Sequence, residues 1–206
     1  MYRLGALVIG YFLGNVQSAI LLGRLKGIDI RTQGSGNAGT TNTVRVLGKK
    51  SGAIVLLMDI AKTLIAILIS RLLFKSVAPG IVVTLYAGLG VILGHSYPAF
   101  FGFKGGKGIA ATAGLIIGIG SPILFLILAA LFFTCFGITH IVSLSSLLVT
   151  GSLPFVLILF YCNQPGGLEA MFLGFVIMGI TYYRHKDNIK RLLTGTESKL
   201  NLTSKK

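Results

Sequence analysis

Residues 142–161 run the length of a membrane helix without one charged side chain. A helix of about 20 apolar residues crosses the hydrocarbon core of a bilayer. Comparable runs recur at 4–22, 52–73, 79–97 and 169–183. The stretch 109–137 is apolar too, but Ser121-Pro122 divides it. Composition agrees. Hydrophobic residues make up 53% and charged residues 12% of 206 positions, against about 25% charged in a soluble domain. That leaves too few polar groups to cover a soluble surface, and far too much apolar matter for a disordered chain. The expectation is an all-α integral membrane protein, a single membrane-embedded domain over 1–206 with no room for a separate soluble one.

Charge orients the spans. Nineteen Lys and Arg face five Asp and Glu, a net charge of +14. The segment 23–51 holds Arg24, Lys26, Arg31, Arg45, Lys49 and Lys50. The tail holds Arg184, Lys186, Lys190, Arg191, Lys199, Lys205 and Lys206. Positive loops stay in the cytoplasm, so both belong there, and an even number of spans must separate them. Counting 109–137 as two short spans meets that condition; counting it as one does not. The expected architecture is a seven-transmembrane-helix bundle, N-terminus outside and C-terminus cytoplasmic. The excess of cations also suits membrane lipid headgroups or an anionic substrate. Nucleic acid fits poorly, because the basic residues lie between apolar spans.

Inside the spans, Gly10/Gly14, Gly90/Gly94 and Gly114/Gly118 have the spacing that lets helix backbones approach closely. Asp59 and Lys62 stand three apart within the second run. Each alone would cost about 2.5–3.5 kcal/mol at mid-bilayer, so a self-neutralised buried pair is expected. Cys135 and Cys162 are isolated in apolar surroundings and read as small buried hydrophobes. No cysteine or histidine cluster suggests a metal, and nothing calls for a cofactor.

The polar motifs gather on the expected cytoplasmic side. The first is Gly34-Ser35-Gly36-Asn37-Ala38-Gly39-Thr40-Thr41-Asn42, followed by Arg45. Its GxGxxG spacing is a weak dinucleotide signal without a preceding strand. Small residues that bare backbone N–H groups, with added hydroxyls and amides, still suit an anion such as phosphate. The second runs from Gly94-His95-Ser96 to Lys104-Gly105-Gly106-Lys107-Gly108. It is no Walker A loop, yet it sets two ammonium groups around a bare turn just before a helix start, itself an anion site. The third runs from His185 to Glu197, with His185 and Asn188 on one helical face. Lys190 and Arg191 read as lipid-facing charges. A smaller polar group, Thr139, His140, Ser143, Ser145 and Ser146, opens the sixth span.

Together, SGNAGTTN with Arg45, GHSYPAFFGFKGGKG, and HKDNIKRLLTGTE resemble the three cytoplasmic motifs of the bacterial membrane glycerol-3-phosphate acyltransferases that use acyl phosphate, the PlsY family. The likeness extends from about residue 10 to 197. Thr63 stands where a Gly is usual and His140 where an Arg is common. The resemblance implies transfer of a fatty acyl group from acyl phosphate to the 1-hydroxyl of glycerol 3-phosphate, giving lysophosphatidic acid and phosphate. It implies Ser35, Arg45, Lys104, Ser143, His185 and Asn188 as the catalytic residues. Gly36, Asn37, Thr41, Asn42, His95, Gly105, Gly106, Lys107 and Glu197 would line the substrate and phosphate site. The place would be the bacterial cytoplasmic membrane, active site facing the cytoplasm. The His-x4-Asp pair of acyltransferases that use acyl-CoA is missing: Phe100, Ser145 and Lys190 follow the three histidines at that spacing. The competing reading is a multi-span anion transporter or channel with a basic vestibule. Transporters place their binding groups near the bilayer midplane, whereas these motifs cluster at one interface.

Overall fold

The computed structural model describes residues 1–200, so Lys205 and Lys206 of the basic tail lie outside the described residues. Every regular element in the described part is helical: α1 (Tyr2–Gly14), α2 (Ser18–Leu25), α3 (Thr40–Phe74), α4 (Gly80–Ser96), α5 (Ile109–Ile119), α6 (Pro122–Thr139), α7 (Val142–Tyr161), α8 (Gly167–Arg184) and α9 (Lys186–Leu193), with short 3-10 turns at Ile30–Thr32 and Ala99–Phe101. Among the described residues, five stretches are long and apolar enough to cross a membrane: Tyr2–Leu25, Thr40–Phe74, Gly80–Phe101, Pro122–Thr139 and Val142–Tyr161. α5 is shorter, with 11 residues. α8 is not among the five, since Glu169 and Arg184 dilute its apolar run.

The break expected between 109 and 137 is present. Gly120 takes the left-handed conformation, Ser121 caps α6 by accepting the Leu124 N–H, and Pro122 opens the helix, where its missing N–H costs nothing. Two expectations need correction. The first span is not one helix: Asn15, Val16 and Gln17 separate α1 from α2. Nor does the segment 23–51 stay a loop, because α3 begins at Thr40 and runs through a kink at Gly48 (φ 81°, ψ 173°). Cys135 is half-buried and Cys162 exposed; a cysteine at a helix end is not enclosed by its own run.

The chain forms two compact units, Met1–Ile119 and a second beginning at Gly120. In the first, α4 packs against α1, α3 and α5 and is buried on nearly every side, as befits a helix apolar all round. Its seam with α1 is made of glycine. A Cβ on Gly10 or Gly14 would strike the carbonyls of Ala87 or Val91, and one on Gly90 or Gly94 those of Leu7 or Tyr11. The third pair lies against α3, Gly114 facing Ile60 and Thr63, Gly118 facing Ile67. In the second unit α7 packs between α6 and α8, and α9 continues from α8. α6 buries only Leu124 and Leu128, a surface suited to lipid.

Candidate active site

The first glycine-rich motif is folded around one side chain. Asn42, in the first turn of α3, is 1% exposed. Its Oδ1 accepts the Ser35 N–H at 2.8 Å, and its Nδ2 donates to the carbonyls of Ile30 and Gln33, each at 3.0 Å. Both amide protons are thereby committed to shaping the loop. Gly34 and Gly36 sit at φ 59° and 70°, where a side chain would be strained. Ser35 and Gly36 are exposed, while Asn37, Thr41 and Arg45 are half-buried. Thr41 and Arg45 share a face of α3. Ahead of the loop, Asp29 accepts the Arg31 N–H at 2.9 Å and pairs with its guanidinium at 2.8 Å. Those bonds hold the Asp29 carboxyl down at about 2.

The second motif meets the first. His95 closes α4, and its carbonyl accepts the Gly106 N–H at 3.0 Å. A Cβ on Gly105 would fall on that carbonyl; one on Gly106 would strike His95 Nε2 and the Ala38 carbonyl. The tight turn thus brings Lys104-Gly105-Gly106-Lys107 against the loop that carries Ser35 and Gly36. Lys104 is exposed and Lys107 half-buried. Lys107 stands just before α5, whose first turn is tied by the Thr112 N–H and hydroxyl to the Gly108 carbonyl at 2.8 and 2.9 Å. Ammonium groups, bare backbone and a helix start are the elements of a phosphate site.

Behind the loops lies a buried polar cluster. Asp59 and Lys62 pair at 2.8 Å, as their spacing predicts. Sequence reasoning missed their neighbours. Ser18 donates to Asp59 at 2.8 Å. Gln17 Nε2 reaches the carbonyls of Gly14 and His95, each at 3.2 Å. The signal was there, in polar residues interrupting the first apolar run.

In the second unit the third motif closes on itself. Glu197 Oε1 accepts from Ser143 Oγ at 2.8 Å and Asn188 Nδ2 at 2.6 Å, and Oε2 from Arg191 Nε at 2.7 Å. Burial alone would raise the Glu197 carboxyl; the bonds from Asn188, Arg191 and Ser143 outweigh it and bring it below the ordinary range. Arg191, expected to face lipid, is corrected to the partner of this carboxylate, since the turn after α9 carries Glu197 back onto it. His185 joins α8 to α9, and its Nδ1 lies 2.8 Å from the Thr181 carbonyl. A carbonyl can only accept, so Nδ1 carries a proton and donates it there. His140 caps α6 in the left-handed conformation, and its carbonyl accepts the Leu200 N–H at 2.8 Å. Among the described residues, no group of three His, Cys, Asp or Glu is placed to hold a metal ion.

Comparison with known proteins gives a consistent result. The family model described as glycerol-3-phosphate acyltransferase matches residues 4–195. A glycerol-3-phosphate acyltransferase of Clostridioides difficile is 41% identical over 198 residues, covering 94% of this chain and 93% of its own. One from Exiguobacterium sibiricum is 42% identical over 204 residues, covering 98% and 95%. Among solved structures, the integral membrane glycerol 3-phosphate acyltransferase PlsY (YgiH) in its glycerol 3-phosphate form superposes with a TM-score of 0.83 at 38% identity, over 98% of this chain and 96% of that one. Its lysophosphatidic acid form gives 0.81 at 38%, over 98% and 97%.

Proposed function

The chain belongs to the glycerol-3-phosphate acyltransferase family, and from that premise we propose that its donor is an acyl phosphate and that it works at the cytoplasmic face of a bacterial membrane. It is an integral membrane acyltransferase; the proposal concerns the donor, the residues and the orientation. Acyl phosphate is an activated mixed anhydride, so no covalent enzyme intermediate is needed. The 1-hydroxyl oxygen of glycerol 3-phosphate attacks the acyl carbonyl carbon. A new C–O ester bond forms, the bond from that carbon to the bridging phosphate oxygen breaks, and phosphate leaves. The products are lysophosphatidic acid and inorganic phosphate.

The observation that carries this reading is the junction of Gly106 with Ala38 and His95. It joins two loops rich in glycine and cations, and both substrates bear phosphate. Lys104 and Lys107 supply charge to a phosphoryl group and to the developing oxyanion, and the Gly105-Gly106 turn, with no side chain in the way, lets it approach closely. Ser35, Gly36, Asn37, Thr41 and Arg45 bind substrate from the first loop, which Asn42 shapes. Ser143 and Asn188 contact substrate, held in place by Glu197. The hydroxyl's proton passes to Nε2 of His185 or directly to the departing phosphate. In this reading the chain has seven spans, N-terminus outside and C-terminus inside, and the basic segments that carry the motifs face the cytoplasm.

The test uses purified protein. Phosphate is expected from acyl phosphate only when glycerol 3-phosphate is present, with lysophosphatidic acid formed in equal amount. Acyl-CoA is expected to give no transfer, since no His-x4-Asp pair is present to serve it. Efficient transfer from acyl-CoA would overturn the donor assignment.

A further inference from the structure

The ion pair inside the membrane does more than neutralise itself. Asp59, Lys62 and His95 are 1%, 5% and 3% exposed. Lys62 Nζ lies 2.8 Å from Asp59 Oδ1, 2.7 Å from the Val16 carbonyl and 3.0 Å from His95 Nδ1. An ammonium has three protons and no lone pair, so it can only donate to each of these partners. His95 Nδ1 must therefore be the acceptor. The 3.7 Å between Nδ1 and Asp59 Oδ1 is too long for a competing bond. A neutral imidazole with a bare Nδ1 carries its proton on Nε2, and Nε2 is the atom that lies against Gly106. The break between α1 and α2 makes this possible, because it frees the Val16 carbonyl to hold the ammonium from the other side.

We infer that Asp59 and Lys62 are positioning residues for the acyl transfer: Lys62 sets His95 in its Nε2–H form, and His95 thereby holds the Gly105-Gly106 turn in place beside Ala38. The inference rests on reading that turn as the phosphate-binding loop. Asp59 retains the ammonium in an apolar interior. Lys62 caps the broken helix and orients the imidazole at once, much as an outer partner orients a ligating histidine in a metal site.

The test compares two uncharged double variants. In Asp59→Asn/Lys62→Gln the new amide at position 62, on the side chain that already reaches His95, can donate to Nδ1. In Asp59→Leu/Lys62→Met nothing can. Imidazole 15N spectra resolve the tautomer, because the chain has three histidines and removing His140 or His185 assigns the remaining signals. The first variant is expected to keep a bare Nδ1 and a KM near the parent's for both substrates. The second is expected to show mixed tautomers and to lose roughly 10–100-fold in kcat/KM. That loss should fall mainly on KM for the substrate whose phosphate the loop holds. Equal loss in both variants would overturn the inference in favour of simple packing, as would mixed tautomers with an unchanged KM. If the parent turns over no acyl phosphate while the spectra behave as expected, the donor reading has failed and the tautomer assignment stands.

Discussion

A single exposed lysine carries the most direct test of the site. Lys104 is solvent-exposed and contributes little packing, so Lys104→Ala is expected to extract and purify like the parent. Losing one charge-stabilising donor typically lowers turnover by about 10²–10³. Lys26→Ala removes the same charge from another exposed position and is expected to remain active. Equal losses would point to general surface attraction instead of a site. Glu197 supports a different measurement. Its carboxyl is held below its ordinary value near 4.5, so the folded state binds the proton less readily than the unfolded one. The stabilisation is complete above that ordinary value and disappears as the pH falls through the lower, folded one. A mobility label at Ser198→Cys should stay immobile at neutral pH and loosen only below about 4.5. Adding Glu197→Gln should loosen it at pH 7; an immobile label there would show that Ser143, Asn188 and Arg191 do not depend on the charge.

Among the helices, the α1–α4 seam is where backbones come closest. A methyl group at Gly90 would meet the Leu7 carbonyl, and backbone cannot rotate aside as a side chain can. Gly90→Ala is expected to cost about 1–3 kcal/mol, as overpacking generally does, and to lower the unfolding temperature in detergent. Gly179, within α8, has open space where its Cβ would stand. Gly179→Ala should be neutral or stabilising by roughly 0.5–1 kcal/mol, since alanine loses less backbone freedom on folding. If the two substitutions shift stability alike, the seam is not close-packed. The same seam bears on chemistry, because His95 stands in the last turn of α4 and any separation of α1 from α4 disturbs the carbonyl that receives Gly106.

For the molecule as a whole, the distribution of Lys and Arg makes a prediction about sidedness. The segments 23–51 and 184–200 are both basic and should share the cytoplasm. A cysteine at Ser198 in sealed cells should resist a membrane-impermeant thiol reagent, once Cys135 and Cys162 have been replaced. Ready labelling from outside would refute the orientation and place the third motif away from a cytoplasmic substrate. The family match covers residues 4–195 and so spans both compact units. The proposed reaction also gives a reason for building such a protein in a membrane: the acyl chain is apolar, while the phosphates of donor and acceptor need cations at an interface.

The sequence alone determined the membrane class, the apolar helical runs, the break at Ser121-Pro122, the order of the three motifs and the pairing of Asp59 with Lys62. All of these follow from hydrophobicity and spacing along one strand of chain, which are local quantities. It also showed that Gly10/Gly14 and Gly90/Gly94 were made for close contact, but not that they contact each other. Only the tertiary structure decided that Asn42 turns inward to build its own loop, that His95 receives Lys62 on one nitrogen and faces Gly106 with the other, and that Glu197 reaches Ser143 across a separation of 54 residues. It likewise moved Arg191 from lipid to carboxylate and split the first span at Asn15–Gln17. The physical reason is common to these cases. A buried polar group must find a partner, and which distant residue supplies it depends on how the helices pack, a relation that no spacing along the chain encodes.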